Sequence, residues 1–252
     1  MTDISNANTL EVMETPLKSK VALVTGGSRG IGKAIARKLA ALGAAVSIGG
    51  RDAVALEQSA DEIRELGCPV HAQIADVTKS ADVETLVRAT QGKLGPISIL
   101  VNNAGIGLFG PVQEKSEEEW DLVINSNLKS IFLVSRAVVP SMIRAGVGDI
   151  VNISSLAGKN TFAGGGIYCA SKWGVQGLTG CMAEDLRGYG IRVSAICPGS
   201  VATEFSGRGA KDPEKVLSAE DVAHAVAMLV LQGPQSFISE VHLRPLAKPQ
   251  NP

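Results

Sequence analysis

Aromatic side chains are scarce in this chain: two tryptophans, two tyrosines and five phenylalanines make up 4% of its 252 residues. So few rings leave no platform on which successive nucleobases could stack. Charge of one sign is missing as well. The 24 basic residues are balanced by 25 acidic ones, for a formal net charge of -1, so the chain lacks the positive field by which nucleic acid or an anionic membrane surface is held. Three histidines (His71, His224, His242) and four cysteines (Cys68, Cys169, Cys181, Cys197) are scattered, with no CxxC pair and no Cys/His group at metal-ligand spacing. No metal site is expected, and the thiols read as reduced. Met1 to Ser19 is polar with acidic residues and has no apolar core of the secretory type. No later run reads as long enough to span a bilayer. The expected address is the cytoplasm.

What is present is a chain 45% hydrophobic and 19% charged, long enough to bury a large core in one α/β domain. Residues 1–18 read as a flexible leader, 19–246 as the domain and 247–252 as a short tail. Short apolar runs at Val21–Thr25, Ala45–Ile48, Val70–Ile74, Ile97–Val101, Asp149–Ile153, Arg192–Ile196 and Phe237–Leu243 predict strands. The early runs carry branched apolar residues on both faces, as parallel strands covered on both sides do. Helical patterns lie between them: Ile31–Leu42, Ala53–Leu66, Ala81–Leu94, Glu117–Ala145 with Pro140 as a bend or stop, Ile167–Tyr189 and Ala219–Leu231. Strand followed by helix, repeated six times, predicts one doubly wound parallel sheet of about seven strands flanked by helices. Thr203–Leu217, with Gly207, Gly209 and Pro213, reads as a short surface loop.

The first strand runs into Thr25-Gly26-Gly27-Ser28-Arg29-Gly30-Ile31-Gly32, and a helix follows. Glycines at 26, 30 and 32 suit a tight turn that approaches a ligand closely, and the helix N-terminus offers free N–H groups and a positive dipole to a pyrophosphate. Dinucleotide binding is the functional reading; a mere tight turn is the bland one. An NAD-type site carries an acidic residue at the end of the second strand. Here that strand ends Ile48-Gly49-Gly50-Arg51, with Gly50 at the carboxylate position. Arg29 and Arg51 would suit a 2′-phosphate through forked, charge-assisted bonds. NADP(H) is therefore expected over NAD(H). Asp52 would return the ribose carboxylate if the register were shifted by one or two places.

Tyr168 and Lys172 sit four residues apart, so a phenol and an ammonium share one helix face. A cation beside a tyrosine favours the phenolate and lowers its pKa towards usefulness in proton transfer. Such pairs also arise by chance on amphipathic helices, and this one gains meaning from its company. TGxxxGxG at the glycine turn, Asp76-Val77 after the third strand, and Asn102-Asn103-Ala104-Gly105 after the fourth form the first half of a pattern. Asn127 in a helix, Ser155 thirteen residues before Tyr168, and Pro198-Gly199-Ser200-Val201-Ala202-Thr203 complete it. In these motifs, from about Lys18 to Leu243, the chain resembles the short-chain dehydrogenase/reductase family.

The resemblance implies a single-domain Rossmann fold and a catalytic tetrad of Asn127, Ser155, Tyr168 and Lys172. Tyr168 would exchange the proton, Lys172 would hold the nicotinamide ribose and lower the Tyr168 pKa, and Ser155 would bond the carbonyl oxygen. Asn127 would position a water that relays protons to Lys172, or merely satisfy buried backbone groups. It further implies cofactor contacts at Gly26, Ser28, Arg29, Gly30, Ile31, Gly32, Arg51, Asp76, Val77, Asn103, Ala104, Gly105, Pro198, Gly199, Val201 and Thr203, together with Tyr168 and Lys172. The partner would be a small-molecule carbonyl or alcohol, and the assembly a homo-oligomer, dimer or tetramer, through the apolar faces of Glu117–Ala145 and Ile167–Tyr189. Many family members end in Val-Asp-Gly-Gly, where this chain has Ser239-Glu240-Val241-His242-Leu243. The expected activity is NADP(H)-dependent reduction of a ketone, with a 3-oxoacyl-acyl-carrier-protein-type reductase as the nearest named activity. Dehydrogenation of a hydroxy acid, sugar or polyol shares every catalytic residue, and a catalytically silent dinucleotide sensor is the reading from another class. The glycines 164–166 and the short loop after Thr203 read as signs of a permissive pocket.

Overall fold

A computed structural model describes residues 15–205 and 215–247. The expected loop after Thr203 lies largely outside the described residues, as do most of the expected leader and tail. Seven parallel strands form one sheet in the order β3-β2-β1-β4-β5-β6-β7. They are β1 (Val21–Thr25), β2 (Ala45–Gly50), β3 (Val70–Ile74), β4 (Ile99–Asn102), β5 (Gly148–Ile153), β6 (Ile191–Pro198) and β7 (Glu240–Leu243). The helices are α1 (Gly30–Ala41), α2 (Ala53–Arg64), α3 (Ser80–Leu94), α4 (Glu117–Ile124), α5 (Ser130–Ala145), α6 (Gly166–Leu186) and α7 (Ala219–Val230). Strand alternation feeds two cores. Ala22 and Val24 of β1 pack with α1, α2 and α7 on one face, while Val21 and Leu23 pack with α3, α5 and α6 on the other. The strand order reverses between β1 and β4, and this opens a crevice at the carboxyl ends of the strands.

The structure corrects several boundaries. Leu17, placed in the leader by sequence, is buried and donates its N–H to the Leu42 carbonyl, so the folded body takes in residues 15–18. Strand β7 starts at Glu240, not Phe237, because side chains occupy the backbone groups before it. The Ile238 N–H donates to Gln232 Oε1 and its carbonyl accepts from Ser194 Oγ. The expected helix over 117–145 is two helices joined by a π-helical turn at Asn125–Lys129. Pro140 does not end it; α5 runs on to Ala145, where Gly146 adopts the left-handed conformation at φ 66°. That 29-residue stretch is long and apolar enough to cross a membrane by length and composition, contrary to the expectation from sequence. Half of its apolar window is buried inside the fold, against α3 and α6 among others.

Candidate active site

The glycine turn is a packing solution before it is a binding one. Gly26 has φ 66°, and a Cβ there would stand 3.0 Å from Ala104 Cα. A Cβ on Gly32 would fall 2.2 Å from the Gly26 carbonyl oxygen. Gly32 therefore seats α1 against the turn. The close approach gives it this packing role, and it is not among the residues that line the cleft. The Thr25 hydroxyl accepts hydrogen bonds from the Asn103 and Ala104 backbone N–H groups, at 3.0 and 3.1 Å. Asn103 Nδ2 in turn donates to the Thr25 and Gly26 carbonyls. The end of β4 and the glycine turn are thus held as one rigid floor. Its exposed face offers the N-terminus of α1 to the cleft.

At the end of β2 the geometry settles the register. Asp52 caps α2, accepting from the Ala55 N–H at 3.1 Å. Its carboxylate serves the helix, and the residue that ends β2 beside Ser28 is Gly50. Arg29 and Arg51 both line this part of the cleft. Arg29 lies 3.7 Å from Glu204, with both side chains largely exposed. Asp76 is next to them. Burial pushes its carboxyl up, but hydrogen bonds from the Thr78 side chain and backbone, with Arg51 and Lys79 nearby, outweigh that and hold it below the usual range.

Farther along, Ser155, Tyr168 and Lys172 converge on the same cleft. Ser154 and Ser155 follow the end of β5 and both border the cleft, but their hydroxyls take different partners. Ser154 Oγ turns back to donate to the Lys172 carbonyl, while Ser155 faces the cleft and accepts from the Ala157 N–H. Lys172 Nζ donates to the Ile153 carbonyl at 2.9 Å and stands 5.8 Å from the Tyr168 ring centroid. The expected lowering of the Tyr168 pKa is opposed by its surroundings. Burial pushes the phenol up to about 12, hydrogen bonding with Ser155 only partly opposes it, and burial also pulls Lys172 down to about 8. Desolvation is the largest cause of both shifts.

Asn127 sits in the π-helical turn and is fully buried. Its Nδ2 donates to the Ile106 carbonyl and to Ser171 Oγ, and its Oδ1 accepts from the Ile106 N–H at 2.8 Å. Ser171 Oγ donates to the Tyr168 carbonyl. The side chain thus fixes the loop after β4 to α6, and it stands behind the cleft instead of lining it. At the far wall, the Gly199 N–H donates to the Leu243 carbonyl, and a Cβ on Gly199 would meet Pro245 at 3.0 Å. Thr203 Cγ2 lies 3.4 Å from where a Gly30 Cβ would stand, so the segment after β6 closes over the glycine turn. The cleft has a volume of about 1490 Å3, above the range of a drug-sized ligand alone and suited to a dinucleotide with a substrate beside it.

The profile of the short chain dehydrogenases matches residues 20–214. The chain belongs to the short-chain dehydrogenase family. It is 37% identical to an uncharacterized oxidoreductase of Staphylococcus saprophyticus over 231 residues, covering 91% of this chain and 99% of that one. It is 39% identical to a gluconate 5-dehydrogenase of Gluconobacter oxydans over 193 residues, 77% of this chain and 75% of that one. It is also 36% identical over 244 residues to a glycine betaine reductase of Emericella nidulans, covering 93% of this chain but only 19% of that longer protein. Among solved structures, a metagenomic short-chain oxidoreductase in complex with NADP superposes with a TM-score of 0.82 at 43% identity, covering 92% and 99% of the two chains. An actinorhodin polyketide ketoreductase variant with NADPH superposes at 0.83 and 32%, covering 89% and 94%.

Within this dehydrogenase the catalytic and cofactor-contact residues expected from sequence, apart from Gly32 and Asn127, all line one cleft. Sequence reasoning missed two groups. Phe109 and Phe205 flank Tyr168, and Phe162 lies against Phe109; their signal was that each follows a different strand. Cys197, Glu240 and His242, far apart in sequence, bring donor atoms within 4.8 Å of one another. Cys197 and His242 are register partners on β6 and β7, which no spacing rule reveals. The Glu240 carboxylate is taken up by Cys197 at 3.1 Å, Gln176 at 3.2 Å, His242 at 2.8 Å and Lys159 at 2.9 Å. This polar clasp ties β7 to α6 and to the segment after β5.

Proposed function

We propose that the chain reduces a carbonyl to a secondary alcohol with NADP(H), acting on a ketone or a 3-oxoacyl thioester. The observation that carries this is the meeting of the Ser155 and Tyr168 hydroxyls and the Lys172 ammonium on the floor of a cleft whose other end is the glycine turn. The bound cofactor supplies a hydride to the carbonyl carbon. The chain's own part is positioning and a proton. Ser155 donates a hydrogen bond to the carbonyl oxygen, and Tyr168 delivers its phenolic proton to the same atom. The proton is in place because burial keeps the phenol protonated. Lys172 faces the phenolate that is left. Asn127 is a positioning residue, holding the Tyr168 turn of α6 through Ser171. The NADP(H) preference rests on Gly50, Arg29, Arg51 and the commitment of Asp52 to its helix, and it agrees with the NADP- and NADPH-bound neighbours. Oxidation of a hydroxy acid or sugar is the second reading, favoured by the likeness to gluconate 5-dehydrogenase.

Replacing Tyr168 with Phe tests the proposal. Turnover of ketones with NADPH should fall roughly 100- to 10,000-fold, with NADPH binding unchanged by fluorescence titration. A variant that retains turnover refutes the assignment. Wild-type protein that binds NADPH and reduces no carbonyl would instead be a dinucleotide sensor.

A further inference from the structure

The substrate end of the cleft carries a feature that cofactor chemistry does not use. Of the five phenylalanines in the chain, three line this cleft. Phe109 follows β4, Phe162 follows β5 and Phe205 follows β6. The Phe109 ring meets Tyr168 edge-on at 5.3 Å, Phe205 meets it at 5.9 Å, and Phe162 lies 6.0 Å from Phe109. The three residues are 42%, 49% and 43% exposed (Phe109, Phe162, Phe205). Scattered exposed rings need no explanation, but two flanking one reactive phenol, with a third packed on the first, form an apolar patch.

The backbone is shaped around these rings. A Cβ on Gly107 would stand 2.8 Å from Phe205 and 2.9 Å from Phe109. A Cβ on Gly165 would stand 2.7 Å from Phe162. The Gly110 N–H donates to the Gly164 carbonyl at 2.8 Å, which fixes the Phe109 loop against the Phe162 loop. The glycines expected to loosen this wall therefore tie it down and make room for rings. The charges of the cleft lie mostly elsewhere: Arg51, Asp52 and Asp76 stand at the glycine-turn end, and Glu204 pairs with Arg29. Among the described residues, Lys172 behind Tyr168 and Arg244 beside Gly199 are the exceptions.

We propose that Phe109, Phe162 and Phe205 form a slot selecting flat, apolar ketones, with an aryl or fused-ring group beside the carbonyl, over sugars, polyols and hydroxy acids. The inference rests on the reading of this cleft as a carbonyl-reduction site and names its substrate class. An aryl group gains edge and offset contacts with these rings. A polyol hydroxyl set against the ring faces loses water and gains no hydrogen bond from the rings themselves. Apolar contact is non-directional and discriminates weakly among hydrocarbon shapes, so the slot admits many ketones of this class.

The test compares acetophenone and tetralone with open-chain octanone, dihydroxyacetone and pyruvate as substrates with NADPH, and gluconate and sorbitol with NADP+. Calorimetric titration of acetophenone into the NADP+-bound protein runs in parallel. The aryl ketones should exceed the polar substrates in kcat/KM by roughly 100-fold, and Phe109→Ala or Phe162→Ser should raise the acetophenone Kd roughly 10-fold or more. Reduction with pyruvate or dihydroxyacetone preferred would overturn the slot and leave the carbonyl reading standing. Acetophenone binding that depends on the phenylalanines, with no carbonyl reduced, would keep the slot and overturn the carbonyl reading. Neither reduction nor binding overturns both.

Discussion

At the scale of the residue, the Tyr168–Lys172 pair behaves differently from the activated tyrosine that its spacing predicts. Sequence supplies the spacing but not the dielectric. Both groups are buried, and the ammonium spends a hydrogen bond on the Ile153 carbonyl. A phenol held at about 12 keeps its proton throughout the neutral range, which suits donation to a carbonyl and opposes the reverse reaction. The phenolate formed on donation needs the Lys172 charge. Burial has lowered the Lys172 pKa to about 8, so the ammonium is fully present below that value and is lost above it. Ketone reduction should therefore hold a plateau in kcat/KM below about pH 8 and fall as pH rises through it. A pH–rate profile taken with saturating NADPH checks this, and a rate that stays level to about pH 10 contradicts it. Lys172→Met should lower the plateau itself, by roughly 100-fold or more.

At the scale of the element, selectivity and rigidity meet where β1 and β2 end. An aspartate in place of Gly50 would put a carboxylate beside Ser28, with its Cβ 3.3 Å from Leu56, a contact that a small side-chain shift relieves. Negative charge there repels a 2′-phosphate and bonds ribose hydroxyls. Gly50→Asp should lower the NADPH-to-NADH ratio of kcat/KM by roughly 10- to 100-fold; an unchanged ratio would move the selectivity away from this strand end. Gly32→Ala acts on the fold instead. Its Cβ would press on the Gly26 carbonyl, and overpacking of this kind costs about 1–3 kcal/mol, readable as a lower urea midpoint. These elements were legible in the sequence because each carries a local signature, a glycine at a forced approach or a run of branched residues, whereas the capping role of Asp52 emerged only from the structure. The π-helical turn at Asn125–Lys129 was not legible, since its cause is tertiary, with Asn127 bonding across to Ile106 and Ser171. The start of β7 was hidden for the same reason, being decided by Gln232 and Ser194 from other elements. The phenylalanine slot draws one ring from each of three loops, and only the sheet order makes those loops neighbours.

At the scale of the whole molecule, the helical layer of α4, α5 and α6 is the surface that asks for a partner. Trp120, Phe132 and Trp173 are each close to half exposed there, Leu122 as well. The helices are neighbours: Leu128 of the π-helical turn would touch a Cβ on Gly174, which adjoins Trp173. Farther along α6, Gly177 and Gly180 have open space around them, so another backbone can approach closely. Burying large rings from one such patch against its own copy follows the two-fold logic of most homo-oligomers. We therefore expect a dimer or tetramer through this face. It would also serve the site, because the same helices carry Asn127, Tyr168 and Lys172, and fixing their outer face restrains their inner one. Light scattering at micromolar concentration should give a multiple of the chain mass. Phe132→Asp and Trp173→Glu, each on an exposed position, should shift that mass towards the single chain while far-ultraviolet circular dichroism stays unchanged. A wild-type protein of single-chain mass would show that this layer is covered in some other way, and would separate the integrity of the active site from assembly altogether.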